Sequence, residues 1–108
     1  MHYLRIYADQ HGNSSFEDVD LAQSPPQPSR HVGFRSFPPG WSDSQIIADG
    51  RLFVFILTGE VALTVSDGTA RSVGPGEVVL VEDTWGKGHA AHVVGDEASF
   101  QAFVQLAH

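Results

Sequence analysis

Short apolar runs broken by glycine and proline fill this chain, and no stretch keeps helical spacing over ten or more residues. The pattern predicts many strands joined by tight turns. Residues 4–8 and 16–21 read as short strands, with His11-Gly12-Asn13-Ser14-Ser15 as the turn between them. Ser24-Pro25-Pro26-Gln27-Pro28-Ser29 reads as a loop, because proline has no N–H for a ladder. A strand over 31–37 stops at Pro38-Pro39-Gly40. Residues 51–58 form a continuous apolar strand, which predicts cover on both faces. Gly59 turns the chain into 60–66, where Val61, Leu63 and Val65 share one face. Asp67-Gly68 is a hairpin signal, with 69–73 as the returning strand. Gly74-Pro75-Gly76 turns into a strand over 77–81, and strands over 89–94 and 100–106 flank the Gly95-Asp96-Glu97 turn. Two long connections remain, 38–50 and 82–88, and long loops at the mouth of a small barrel are where a site is built.

Composition narrows the class. A chain of 108 residues fits one domain, and 42% apolar with 18% charged residues predicts a folded globule. A formal net charge of −7 argues against nucleic acid and against an anionic membrane surface. Without cysteine there is no disulfide, thiolate nucleophile or Cys-ligated zinc. The N-terminal segment lacks a signal-peptide apolar stretch, and no run approaches the ~18 apolar residues of a membrane span. The expectation is a cytoplasmic protein.

The stretch 57–89 resembles the cupin superfamily. Its Gly59-Glu60 turn, Asp67-Gly68 hairpin and Gly74-Pro75-Gly76-Glu77 turn sit at cupin-like spacing. The run Glu82-Asp83-Thr84-Trp85-Gly86-Lys87-Gly88-His89 resembles a subgroup of small single-domain bacterial cupins. So do Tyr3-Leu4-Arg5-Ile6-Tyr7-Ala8-Asp9, Phe16-Glu17-Asp18-Val19 and Pro38-Pro39-Gly40-Trp41. The resemblance implies an all-β jelly-roll barrel, the double-stranded β-helix, as one domain over 1–108. Residues 1–37 would hold the N-terminal strands and the Pro-rich loop, and 38–108 the barrel core. Metal-binding cupins draw two histidines and a glutamate from a first motif and another histidine from a second. Counting back from Gly59, the glutamate position falls on Leu52 and the histidine region on Ser44, Gln45, Ile46 and Ile47. The small subgroup implies an acidic residue, a histidine and a glutamine near 44, 46 and 52, where this chain has Ser44, Ile46 and Leu52. Of that ligand set His89 remains, so the expectation is no metal and no other cofactor.

His89 is the candidate catalytic residue, a general acid/base or a ligand anchor, with a satisfied core histidine as the alternative. His92 lies three positions on, which on a strand faces the opposite side; Ala91 and Val93 share the side of His89. Trp41 and Trp85 read either as an aromatic lid or as loop packing. The implied register points Leu52, Val54 and Ile56 inward as pocket lining, together with Ser44 and Ala91. Phe53 and Phe55 then pack outside at an intersheet or subunit contact, or belong to an ordinary core. Glu82-Asp83 reads first as a solvated turn and second as a carboxylate source for His89; Lys87 reads first as a surface lysine and second as a group for an anionic substrate. His31 is expected at the surface, and His2, His11 and His108 in solvent. The expected partners are a small apolar or aromatic molecule and a second copy of the chain in a homodimer, with the strand over 4–8 expected to add to the partner's sheet edge. Three functions compete: metal-independent isomerisation, cyclisation or elimination; non-catalytic binding or sensing; and metal-dependent dioxygenation. A polar partner for His89 favours the first, and an all-apolar lining the second.

Overall fold

The computed structural model of the protein describes residues 1–107; His108, expected in solvent, lies outside the described residues. Among the described residues ten strands form two sheets, with a single 3-10 turn over Leu21–Gln23. They are β1 (His2–Ala8), β2 (Ser14–Asp20), β3 (Ser29–Phe37), β4 (Ser42–Ile46), β5 (Leu52–Ile56), β6 (Glu60–Thr64), β7 (Ala70–Val73), β8 (Val78–Glu82), β9 (His89–Val94) and β10 (Ser99–Leu106). The larger sheet runs β2-β1-β8-β5-β10-β3 and the smaller β4-β9-β6-β7. Among the described residues only β1 and β8 pair in parallel, and the other pairings are antiparallel. No helix among the described residues is long and apolar enough to cross a membrane.

Alternation builds the core between the sheets. Leu52, Val54 and Ile56 of β5 face Val61 and Leu63 of β6 and Ala91 and Val93 of β9, all buried. The odd residues of β5 point the other way. Phe53 meets Tyr3 edge-on at 5.4 Å between ring centres and packs with Leu80 and Leu106 in a second cluster outside the large sheet. The apolar run is therefore covered on both faces as far as Phe53, while Phe55 and Leu57 emerge into solvent.

Two differences from the pattern-based expectation matter. The connection over 38–50 contains β4, whose Ser42-Asp43-Ser44-Gln45 is polar because it is an exposed edge strand. And β1 lies inside its own sheet, between β2 and β8, so it is not free to extend a partner's sheet.

The two seams between the sheets differ. Along β2, Ser14 donates from its N–H to Ser66 Oγ and accepts from the Ser66 N–H, at 2.8 and 2.9 Å, while Arg71 of β7 meets Asp18 at 3.0 Å. On the opposite side β3 and β4 are both sheet edges with no ladder joining them.

Candidate functional site

A cavity of about 390 Å³ lies between the sheets on the β3–β4 side. Its wall includes Trp41, Leu52, Val54, Ile56, His89 and Ala91, six of the residues singled out from the sequence. Exposed wall residues Arg35, Asp43, Ile47 and Asp49 mark its mouth, and buried His89 lies deeper. The volume falls in the range of small-molecule pockets, and the inner lining is mostly aliphatic and aromatic, with buried Gln101 and His89 as its polar groups.

His89 opens β9 directly after Gly88. Gly88 has φ +71°, and an added Cβ would come within 2.3 Å of the Ile46 carbonyl oxygen. Only glycine allows this approach, which seats the start of β9 against β4. The His89 Nδ1 lies 2.6 Å from Asp83 Oδ2, and Asp83 is fully buried. Asp83 Oδ1 is buried without a hydrogen-bond partner among the described residues. The His89 Nε2 hydrogen-bonds to no described residue, and the ring belongs to the cavity wall. With Nδ1–H donated to the carboxylate, Nε2 carries the lone pair toward the cavity. His92 is exposed, on the opposite face as its spacing requires.

The acidic pair is not a solvated turn. Glu82 and Asp83 are consecutive at the end of β8 and go to opposite sides. Glu82 takes Arg5 and Arg51 outside the sheet, each through Nε, while Asp83 turns in to His89. Lys87 is exposed; its N–H donates to the Gly12 carbonyl at 2.8 Å.

Two expected lining residues lie elsewhere. Ser44 is exposed on the outer side of β4, beside Ala62, Thr64 and His92. A bulge places it there: β4 advances from Asp43 to Ile46 while β9 advances from Ala91 to His89, one residue fewer. Ile46 then stands opposite His89 and lines the cavity. Trp85 is 51% exposed and lies over Gly12, whose added Cβ would be 3.3 Å from its ring. It is no lid, because the Gly86 and Lys87 backbone is pinned to the Gly12 turn, away from the cavity. Trp41 packs against Phe37 with 4.5 Å between ring centres and a tilt of 46°, and lines the cavity from the segment before β4. His31 is exposed, as expected.

The first-motif ligand positions carry no donor set: Ile46 and Leu52 line the cavity as apolar groups and Ser44 lies outside it. No group of three or more His, Cys, Asp or Glu that could hold a metal occurs among the described residues. The residues present do not fit the metal of the metal-binding cupins.

Several wall residues were not anticipated from the sequence: Arg35, Phe37, Asp43, Gln101, Phe103 and Gln105. The Arg35 guanidinium lies 4.8 Å from the centre of the Phe103 ring and 5.7 Å from that of Phe37. Arg35 is exposed overall, yet desolvation beside these rings lowers its pKa from the ordinary arginine value. Gln101 Nε2 donates to Ser99 Oγ at 3.1 Å, and Gln105 Nε2 to the Arg51 carbonyl at 3.2 Å.

Comparison with known proteins identifies the fold. No family model matches the chain, and no curated protein matches it. Solved structures do. The Cnp3 cupin domain of Schizosaccharomyces pombe is 17% identical over 88% of this chain and 73% of its own, with TM-score 0.61. An RmlC-like cupin family protein of Methanocaldococcus jannaschii, described as a double-stranded β-helix, is 12% identical over 100% and 82%, with TM-score 0.59. A cupin superfamily protein of Desulfitobacterium hafniense is 19% identical over 97% and 98%, with TM-score 0.55. The chain has the cupin jelly-roll fold.

Proposed function

We propose that the protein acts on a small apolar or aromatic molecule by metal-independent acid/base chemistry, with His89 as the proton-transfer group and Asp83 as its positioning residue. The observation that carries this reading is the buried Asp83–His89 pair in the wall of an otherwise largely apolar cavity. Asp83 accepts from Nδ1–H, holds the ring's tautomer and orientation, and stabilises the imidazolium when Nε2 takes a proton. Nε2 removes a proton from a bound carbon acid and returns it at another atom, which is the shared step of isomerisation, cyclisation and elimination. Trp41, Leu52, Val54, Ile56 and Ala91 bind the body of the molecule and exclude water, which strengthens the charge interactions at His89. The proposal extends to a cytoplasmic homodimer without nucleic-acid or membrane partners, in keeping with the net charge of −7.

Hydrogen–deuterium exchange tests this across a panel of carbon acids. Small aromatic and alicyclic ketones are incubated with the protein in D₂O, and carbon-bound hydrogen is followed by NMR. The expected result is exchange of at least one compound, lost in His89→Gln and kept in His92→Ala. His89→Gln is chosen because it removes the imidazole base while keeping a polar side chain of similar size in the cavity wall. Compounds that bind in the cavity without any His89-dependent exchange support instead the second reading, a binding or sensing module, which the apolar lining favours. Elemental analysis of untagged protein should find well under one transition metal per chain; a stoichiometric metal whose removal abolishes exchange would overturn the metal-free mechanism.

A further inference from the structure

The cavity wall carries one cation whose hydrogen-bonding edge is unused. Arg35 projects from β3 directly opposite Gln101 of β10. Its guanidinium is flanked by the Phe103 and Phe37 rings, yet Arg35 makes no ion pair or hydrogen bond with any described residue. By contrast Arg5, Arg51 and Arg71 each meet a carboxylate. The amide donors nearest in the wall are turned to protein acceptors, Gln101 to Ser99 and Gln105 to the Arg51 carbonyl. Arg35 is therefore an uncommitted cation in the wall, and a planar fork held between rings is preorganised for a carboxylate.

Resting on the reading of this cavity as a small-molecule site, we propose that Arg35 anchors an anion there. The ligand is then a small apolar or aromatic monocarboxylate, its carboxylate on Arg35 and its body along the apolar wall. Two carboxylates set the limit of one charge. Asp43 and Asp49 also line the mouth, and neither pairs with Arg35. Asp43 Oδ1 accepts from the Gln45 N–H at 3.0 Å and so is held in place. A second negative charge on the ligand meets these groups and the protein's net charge of −7. The aromatic flanks favour a ligand with a ring, since the Phe37–Trp41 pair offers an aromatic surface in the wall.

The probes are 1-naphthoate and its uncharged isostere 1-naphthamide, titrated into ¹⁵N-labelled protein and followed by NMR. Both should shift amides of Val54, Ala91 and Phe103. Naphthoate should bind about tenfold tighter, as a charge-assisted bidentate contact adds about 1.4 kcal/mol. Arg35→Gln should bring the two probes within twofold of each other, with naphthamide affinity unchanged. Naphthalene-1,4-dicarboxylate should bind more weakly than naphthoate. His89→Gln should keep the naphthoate preference. Equal affinities in the wild type, a preference that survives Arg35→Gln, or one that vanishes in His89→Gln overturns the anchor. Naphthamide binding in the cavity alongside such a result leaves the small-molecule site standing and removes only the Arg35 assignment. If neither probe reaches the cavity, both fall.

Discussion

Asp83 and His89 depend on each other for burial, which changes what a substitution at either one does. On the sequence alone, His89→Ala should cost little in folding. In the structure it strands a fully buried carboxylate that already has one unpartnered oxygen. Leaving such a group unsatisfied costs about 1–3 kcal/mol or more. The expected double-mutant cycle is strongly non-additive: Asp83→Asn in the His89→Ala background recovers part of the loss, because the neutral amide is less costly to bury. Urea melts of the four proteins measure this, and strictly additive losses would contradict a coupled pair. His92→Ala, on the exposed face, should change stability by less than about 0.5 kcal/mol.

β8 ends in two charges with opposite fates, and the outer one clamps elements together. Glu82 joins Arg5 of β1 to Arg51 just before β5. Burial raises its pKa, but the hydrogen bonds and charges of Arg5 and Arg51 outweigh that and hold it below the ordinary glutamate value. A lowered folded-state pKa contributes stability above the unfolded value and loses it as pH falls through the folded one. Thermal melts of the wild type should therefore decline more steeply than those of Glu82→Gln below pH about 4.3. At neutral pH the variant should be the less stable of the two. Parallel pH profiles would show that the clamp contributes nothing. The start of β9 is held differently. Gly88→Ala meets both a left-handed backbone and the Ile46 carbonyl at 2.3 Å. The backbone conformation alone costs about 1–2 kcal/mol, and the contact adds to it. The melt should fall correspondingly, and any remaining folded protein should show a displaced His89 in its ring NMR signals. A neutral substitution would mean that this approach does not seat His89.

The outer face of the large sheet carries the association proposal. Val32 and Phe34 of β3, Phe55 of β5, Leu57 just after it, and Phe100 of β10 all project outward, with exposures from 36% to 77%. They are contiguous across three neighbouring strands, and β3 is an open edge. A patch of this kind on a small acidic protein is expected to be covered. In the proposed homodimer a second copy of the chain would supply a self-complementary cover. Light scattering at micromolar concentration should give twice the 11.7 kDa chain mass. Phe34→Glu, which sets like charges into the contact, should give the monomer with the cavity intact. A wild-type monomer, or a dimer indifferent to Phe34→Glu, would place any association elsewhere.

The chain's own pattern determined the class of fold, because period-two alternation and Gly/Pro punctuation are local properties of a strand and a turn. Nine of the ten strands fall where runs such as 60–66 and 89–94 predict them, and the inward set Leu52, Val54 and Ile56 follows from the cupin resemblance. The exception, β4, is a polar edge strand, and nothing in Ser42-Asp43-Ser44-Gln45 distinguishes it from a loop until β9 pairs with it. The sign of an alternation is likewise not local. In β10 the polar Gln101 and Gln105 face inward while Phe100 faces solvent, because that strand borders a cavity on one side and the apolar outer face on the other. His89 was legible from its position in a motif. Its partner was legible only as one of two residues, since Glu82 and Asp83 are chemically alike and only the strand's twofold alternation sends one to the arginines and the other to the imidazole. Arg35 is the extreme case: an arginine in an exposed strand becomes a cavity group only when Phe103 from β10 and Phe37 from its own strand close around it. Local spacing decides which residues can share a face; tertiary packing decides what that face meets, and so which side chains make a site.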